Sequence, residues 1–81
     1  MVIEARHRNR IFPVPGVTAK KLASNAWELT VPRTPEAQRL FGPDLRGLDG
    51  AVFVLDGQES EPTLISGEGP DGMKVSVWIL G

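Results

Sequence analysis

Histidine occurs once in this chain, at position 7, between Arg6 and Arg8. A catalytic imidazole needs a nucleophile or a carboxylate held beside it, and His7 has neither in its neighbourhood of sequence. Cysteine is absent, so thiolate attack and thiolate metal centres are unavailable. The hydroxyl residues are Thr18, Ser24, Thr30, Thr34, Ser60, Thr63, Ser66 and Ser76. None sits in the Gly-x-Ser-x-Gly turn that exposes a nucleophilic serine. Asp56, Glu59 and Glu61 offer oxygens to a hard cation, but they lack the regular alternation and terminal Glu of a calcium loop. Asp44 and Asp49 are the other candidate carboxylate pair. We therefore expect no catalytic residue, no metal and no cofactor. A small enzyme using His7 or a carboxylate pair is the least favoured function.

The run Gly67-Glu68-Gly69-Pro70-Asp71-Gly72 satisfies G-x-G-x-x-G by letter. Its chemistry argues against phosphate. Glu68 and Asp71 repel an anion, Pro70 has no amide to donate, and a strand pattern follows where a helix is needed.

The basic residues carry more weight. Arg6, Arg8 and Arg10 alternate, so an unbroken strand would project them from one face. Lys20 and Lys21 would extend that patch. Guanidinium groups fork onto phosphate and stack on bases, so these five residues are candidates for binding nucleic acid or an acidic partner. Against this, Phe12 and Trp27 are the only aromatics nearby, and the net charge is −1. Charge is divided along the chain. Met1 to Arg46 carries eight bases and four acids, or +4; Gly47 to Gly81 carries one base, Lys74, and six acids, or −5. Such a division marks either a surface for a charged partner or two halves that face each other.

These groups must be positioned by short elements, because Gly and Pro together account for 16 of 81 residues. Val2 to His7 reads as a strand with Ile3, Ala5 and His7 on one face. Arg8 and Asn9 turn it into a second strand, Arg10 to Val14, which Pro13 and Pro15 confine to an edge or terminate. Thr18 as a cap, with Ala19, Leu22, Ala23 and Ala26 at helical spacing, predicts a short helix with both lysines outward. Trp27, Leu29 and Val31 alternate with polar residues as a half-buried strand. Thr34, Pro35 and Glu36 start a two-turn helix, which Gly42 and Pro43 end. Leu45 and Leu48 tuck in from a loop. Ala51 to Leu55 reads as a strand covered on both faces. Gln58 to Pro62 reads as an acidic loop. Thr63 to Ser66 and Met73 to Leu80 pair as a hairpin across a glycine-rich linker longer than a tight turn.

On the last strand Met73, Val75, Val77 and Ile79 form the core face. Trp78 and Leu80 lie opposite and must be covered by the short helix, the first strand or another subunit. They are the candidate interface.

The fold expected is α+β, one compact domain over residues 1–81. It has five to six short strands, mostly antiparallel or in a partly open barrel, and one or two short helices. A chain of this size buries only about 60% of its unfolded surface, so association is a common source of further stability. No apolar run approaches the roughly 20 residues that span a bilayer. Val2 and Ile3 give way at once to Glu4 and Arg6, unlike a secretion signal. A cytoplasmic location without membrane contact is expected. The favoured function is a small non-catalytic binding or assembly module acting through protein–protein contacts, self-association included. Nucleic-acid binding through the basic half is the alternative.

Overall fold

The structure is a computed structural model and describes residues 1–80. In chain order its elements are β1 (Ile3–His7), β2 (Arg10–Pro13), β3 (Thr18–Ala23), β4 (Ala26–Val31), α1 (Pro35–Phe41), a 3₁₀ turn (Arg46–Leu48), β5 (Val52–Leu55), β6 (Gln58–Glu59), β7 (Leu64–Gly69) and β8 (Gly72–Trp78). They form two four-stranded sheets, ordered β2-β1-β5-β6 and β3-β4-β8-β7. Every paired neighbour is antiparallel. The α+β class holds. The expected five to six strands become eight, and the sheets do not close into a barrel. The extra strands are β3, expected as a helix, and β6, expected as loop, which a tight turn folds back along β5 as another joins β1 to β2. Arg8 and Asn9 have φ of 51° and 64°, and Asp56 and Gly57 have 48° and 84°. Positive φ at both central residues is what a two-residue hairpin loop needs.

The first hairpin also explains Pro13. Its register pairs His7 with Arg10 and Ala5 with Phe12. Closed by a two-residue turn, these are the hydrogen-bonded pairs, so the position of Pro13 needs no ladder donor. β2 is accordingly an edge strand that ends there.

Three expectations fail locally. Residues 18–26 are not a helix: Thr18–Ala23 is β3, paired with β4. The expected helical face was mostly alanine and offered little apolar area to bury, whereas pairing with β4 gives the backbone its hydrogen bonds. The last hairpin has no long linker either. β7 continues to Gly69, which pairs with Gly72 across Pro70 and Asp71, and a register shift between Ile65 and Gly67 absorbs the extra residue. The acidic loop likewise begins with strand, β6.

One core lies between the sheets. Ala5, Phe53 and Leu55 enter from the first sheet and Leu29, Val31, Met73, Val75 and Val77 from the second. Ala37 and Phe41 of α1, with Leu45 and Leu48, complete it. The Phe41 and Phe53 rings pack with centroids 5.9 Å apart. The helix starts as its sequence requires: Thr34 Oγ1 accepts from the Ala37 amide at 3.2 Å, and Pro35 occupies the first turn. Leu45 holds the left-handed conformation at φ 60°. That costs about 1–2 kcal/mol for a residue with a Cβ, and complete burial of its side chain offsets it.

The sheets are joined at a corner, and Thr63 ahead of β7 also exchanges backbone bonds with Gly50 and Ala51 ahead of β5. Ser60 bridges Ile79, the Glu61 amide donates to Trp78 O at 2.8 Å, and the Leu80 amide donates to Glu59 O at 3.1 Å. Ser60 Oγ is buried and accepts from the Phe53 amide at 2.9 Å. Thr63 Oγ1, also buried, donates to Leu48 O at 2.6 Å. These hydroxyls are structural, and among the described residues no buried side-chain polar atom lacks a partner.

Gly72 is the glycine with the least room for a side chain. Its φ is 136°, and a Cβ there would lie 2.1 Å from Val31 O. Gly72→Ala should lower unfolding free energy in urea by more than about 2 kcal/mol. Gly57→Ala, at φ 84° with open space around it, should cost about 1 kcal/mol. Equal effects would contradict the close approach.

Candidate functional site

The turn at Arg8 and Asn9 breaks the strand that would have aligned the arginines. Arg6 pairs with Val52 across the ladder, on the outer face of the first sheet. Arg10 pairs with His7 and so projects from the opposite face. Arg8 is in the turn itself. Lys20 and Lys21, expected together on the outside of a helix, alternate along β3. Lys20 faces Glu28 on the outer side of the second sheet. Lys21 faces Trp27, its Nζ 5.5 Å from the indole centroid. The five candidate bases therefore form no continuous patch. Arg8 and Arg10 are the pair that remains together at the hairpin.

Part of the charge division is satisfied within the chain. Arg6 is ion-paired to Glu59, and Arg33 to Glu68. Each pair joins the basic half to the acidic half. The first also seals a surface. Val52 and Val54 lie on the outer face of β5, Arg6 comes from β1 and Glu59 from β6. The pair thus crosses β5, and Val54 beneath it is only 4% exposed although it lies outside the main core. Long charged side chains cover apolar surface in this way with their stems.

Three of the remaining acids also have local partners. Asp56 Oδ1 accepts from the Val2 amide at 2.7 Å, Asp44 Oδ1 from Arg46 N at 3.2 Å, and Asp49 Oδ1 from Ile65 N at 3.5 Å. Asp44 and Asp49 are not a carboxylate pair. Among the described residues no three His, Asp or Glu side chains converge as a metal site.

Two surfaces are left. The first is a cleft of about 400 Å³ between the β1–β2 hairpin and α1, lined by His7, Phe12, Pro13, Glu36, Arg39 and Leu40. His7 and Phe12 meet edge to face at 6.5 Å. The helical residues lie at i, i+3 and i+4, one face of a helix. That spacing was visible in the sequence, but the docking of this face beside His7 was not. Among the described residues Arg39 has no ion-pair partner.

The second surface is the outer face of the second sheet. Leu64 pairs with Ser76, and Trp78 follows Ser76 on the same face of β8, diagonal to Leu64. Trp78 is 38% exposed, and Leu64 and Leu80 are each 57% exposed. Of the covers the sequence offered, the short helix over residues 18–26 does not form, and within this chain these side chains stay exposed. Lys20, Glu28 and Lys74 share this face by register. No helix among the described residues is long and apolar enough to cross a membrane.

The chain matches no protein-family model, no curated protein and no solved structure. Any functional conclusion must come from these surfaces.

A double-mutant cycle on Arg6→Gln and Glu59→Gln should give a coupling of at most about 1 kcal/mol, smaller in high salt, because both side chains remain partly exposed. Coupling that is larger and unaffected by salt would mean that the pair is buried more deeply than its geometry shows.

Proposed function

We propose that this protein is a non-catalytic binding or assembly module that works through protein–protein contacts, and that its first partner is a second copy of itself. The observation that carries this reading is the outward Trp78, with Leu64 beside it on β7 and Leu80 beyond it. Aromatic side chains anchor interfaces because they bury large area with few rotors to fix. The charges around the strip are of both signs, Lys20 and Lys74 against Glu28. A face with both signs and an apolar centre can meet its own copy about a two-fold axis with Glu28 set against a lysine. The small core gives association a further stabilising role. A cysteine-free chain also suits a cytoplasmic setting.

Sedimentation velocity over a wide concentration range tests this. The protein should pass from monomer to dimer, and Trp78→Ser combined with Leu64→Ser should weaken association at least about tenfold. A strict monomer at every concentration, or an unchanged dimer in the double variant, would refute it.

A further inference from the structure

We propose that the free edge of β2 and the cleft beside it form a docking site for an extended peptide segment of a partner protein. The segment would carry an apolar side chain and, two residues along, a carboxylate. This surface is separate from the Trp78 strip, so either assignment can fail alone.

Three observations converge on it. First, β2 is the outer strand of its sheet. Because Arg10 and Phe12 bond to β1, the N–H and C=O of Ile11 point to the unpaired edge, with the Pro13 carbonyl beyond. An added strand could exchange both of its bonds with Ile11, the pairing by which extended peptides extend a sheet. Second, the cleft opens alongside this strand, with Phe12, Pro13 and Leu40 supplying apolar walls. It is large enough for one aliphatic or aromatic side chain. Third, guanidinium groups with free donors are at hand. The lining holds one carboxylate, Glu36, and one guanidinium, Arg39, neither ion-paired among the described residues, and Arg10, outside the lining, projects from the same sheet face as His7, so the bases outnumber the acid. A guanidinium with free donors takes a carboxylate in a forked pair. The strand period of two sets the spacing: residues i and i+2 of the added segment face the same side, so apolar group and carboxylate both turn toward the cleft.

The test uses ¹⁵N-labelled full chain and an N-acetylated hexapeptide of threonines with leucine second and aspartate fourth. Two controls are the same peptide with lysine for aspartate, and free N-acetylleucine. The aspartate peptide should shift the amide signals of His7, Ile11 and Arg39 and slow exchange of the Ile11 amide about tenfold or more at saturation. Arg39→Gln should weaken binding about fivefold or more; the exposed site and an otherwise unchanged amide spectrum separate this from unfolding. Three results would overturn the proposal: no shifts at millimolar peptide, equal binding of the lysine peptide, or equal binding of N-acetylleucine with Ile11 exchange unchanged.

Discussion

The structure depends on the corner where residues 59–61 meet residues 78–80. There the backbone of the first sheet bonds directly to that of the second, through the Ser60–Ile79 bridge and the flanking amides of Glu61 and Leu80. A second tie lies where Thr63, leading into β7, exchanges backbone bonds with Gly50 and Ala51 ahead of β5; the remaining contact between the sheets is apolar, which has no directional preference. The corner, with this second tie, sets how β5 and β8 face each other, and so where Phe53 meets Val75 and Val77 in one core. The buried Ser60 hydroxyl serves the same corner by accepting the Phe53 amide just beyond the end of the β5–β6 ladder. The corner also has a consequence for the surface. Continuing β8 into it holds Trp78 and Leu80 in extended chain, with one face inward and the other outward.

The two sheets solve the problem of their outer faces differently. On the first, the Arg6–Glu59 pair spans β5 on the face that carries Val54, which is only 4% exposed. On the second, nothing of that kind crosses Leu64 and Trp78. The cost of an exposed aromatic strip on a sheet with a free edge is a tendency to associate. β3, at the far edge, carries Lys20 and Lys21, and charges on an edge strand resist open-ended pairing. Under the proposed self-association, an apolar outer face beside a charged edge strand would direct contact toward face-to-face pairing.

Local chemistry was legible where one residue type has one use. Thr34, Pro35 and Gly42 placed the helix. Pro13 placed an edge. The alternation of Met73, Val75 and Val77 gave the core face. Failure came where local pattern and long-range pairing compete. Ala19, Leu22, Ala23 and Ala26 have helical spacing, yet β4 needed a neighbour and the segment became β3. The arginine alternation misled for a related reason: parity aligns side chains only while a strand continues, and positive φ at Arg8 and Asn9 reverses the chain. The cleft was not legible as a site. Its residues come from positions 7–13 and 36–40, and only the packing of α1 on the core brings them together. The ion pairs linking the two halves had a trace in the charge division, but the partners of Arg6 and Arg33 depend on sheet order.

The most direct test of the account uses Trp78 as its own reporter. Trp27→Phe leaves it as the sole indole, since the chain has two tryptophans. Emission is then followed from micromolar to millimolar protein. If the outer face of the second sheet is the contact surface, emission shifts to the blue and quenching by iodide falls as concentration rises. Emission and quenching that stay constant throughout, in a protein whose sedimentation shows association, would place the contact elsewhere and contradict the account.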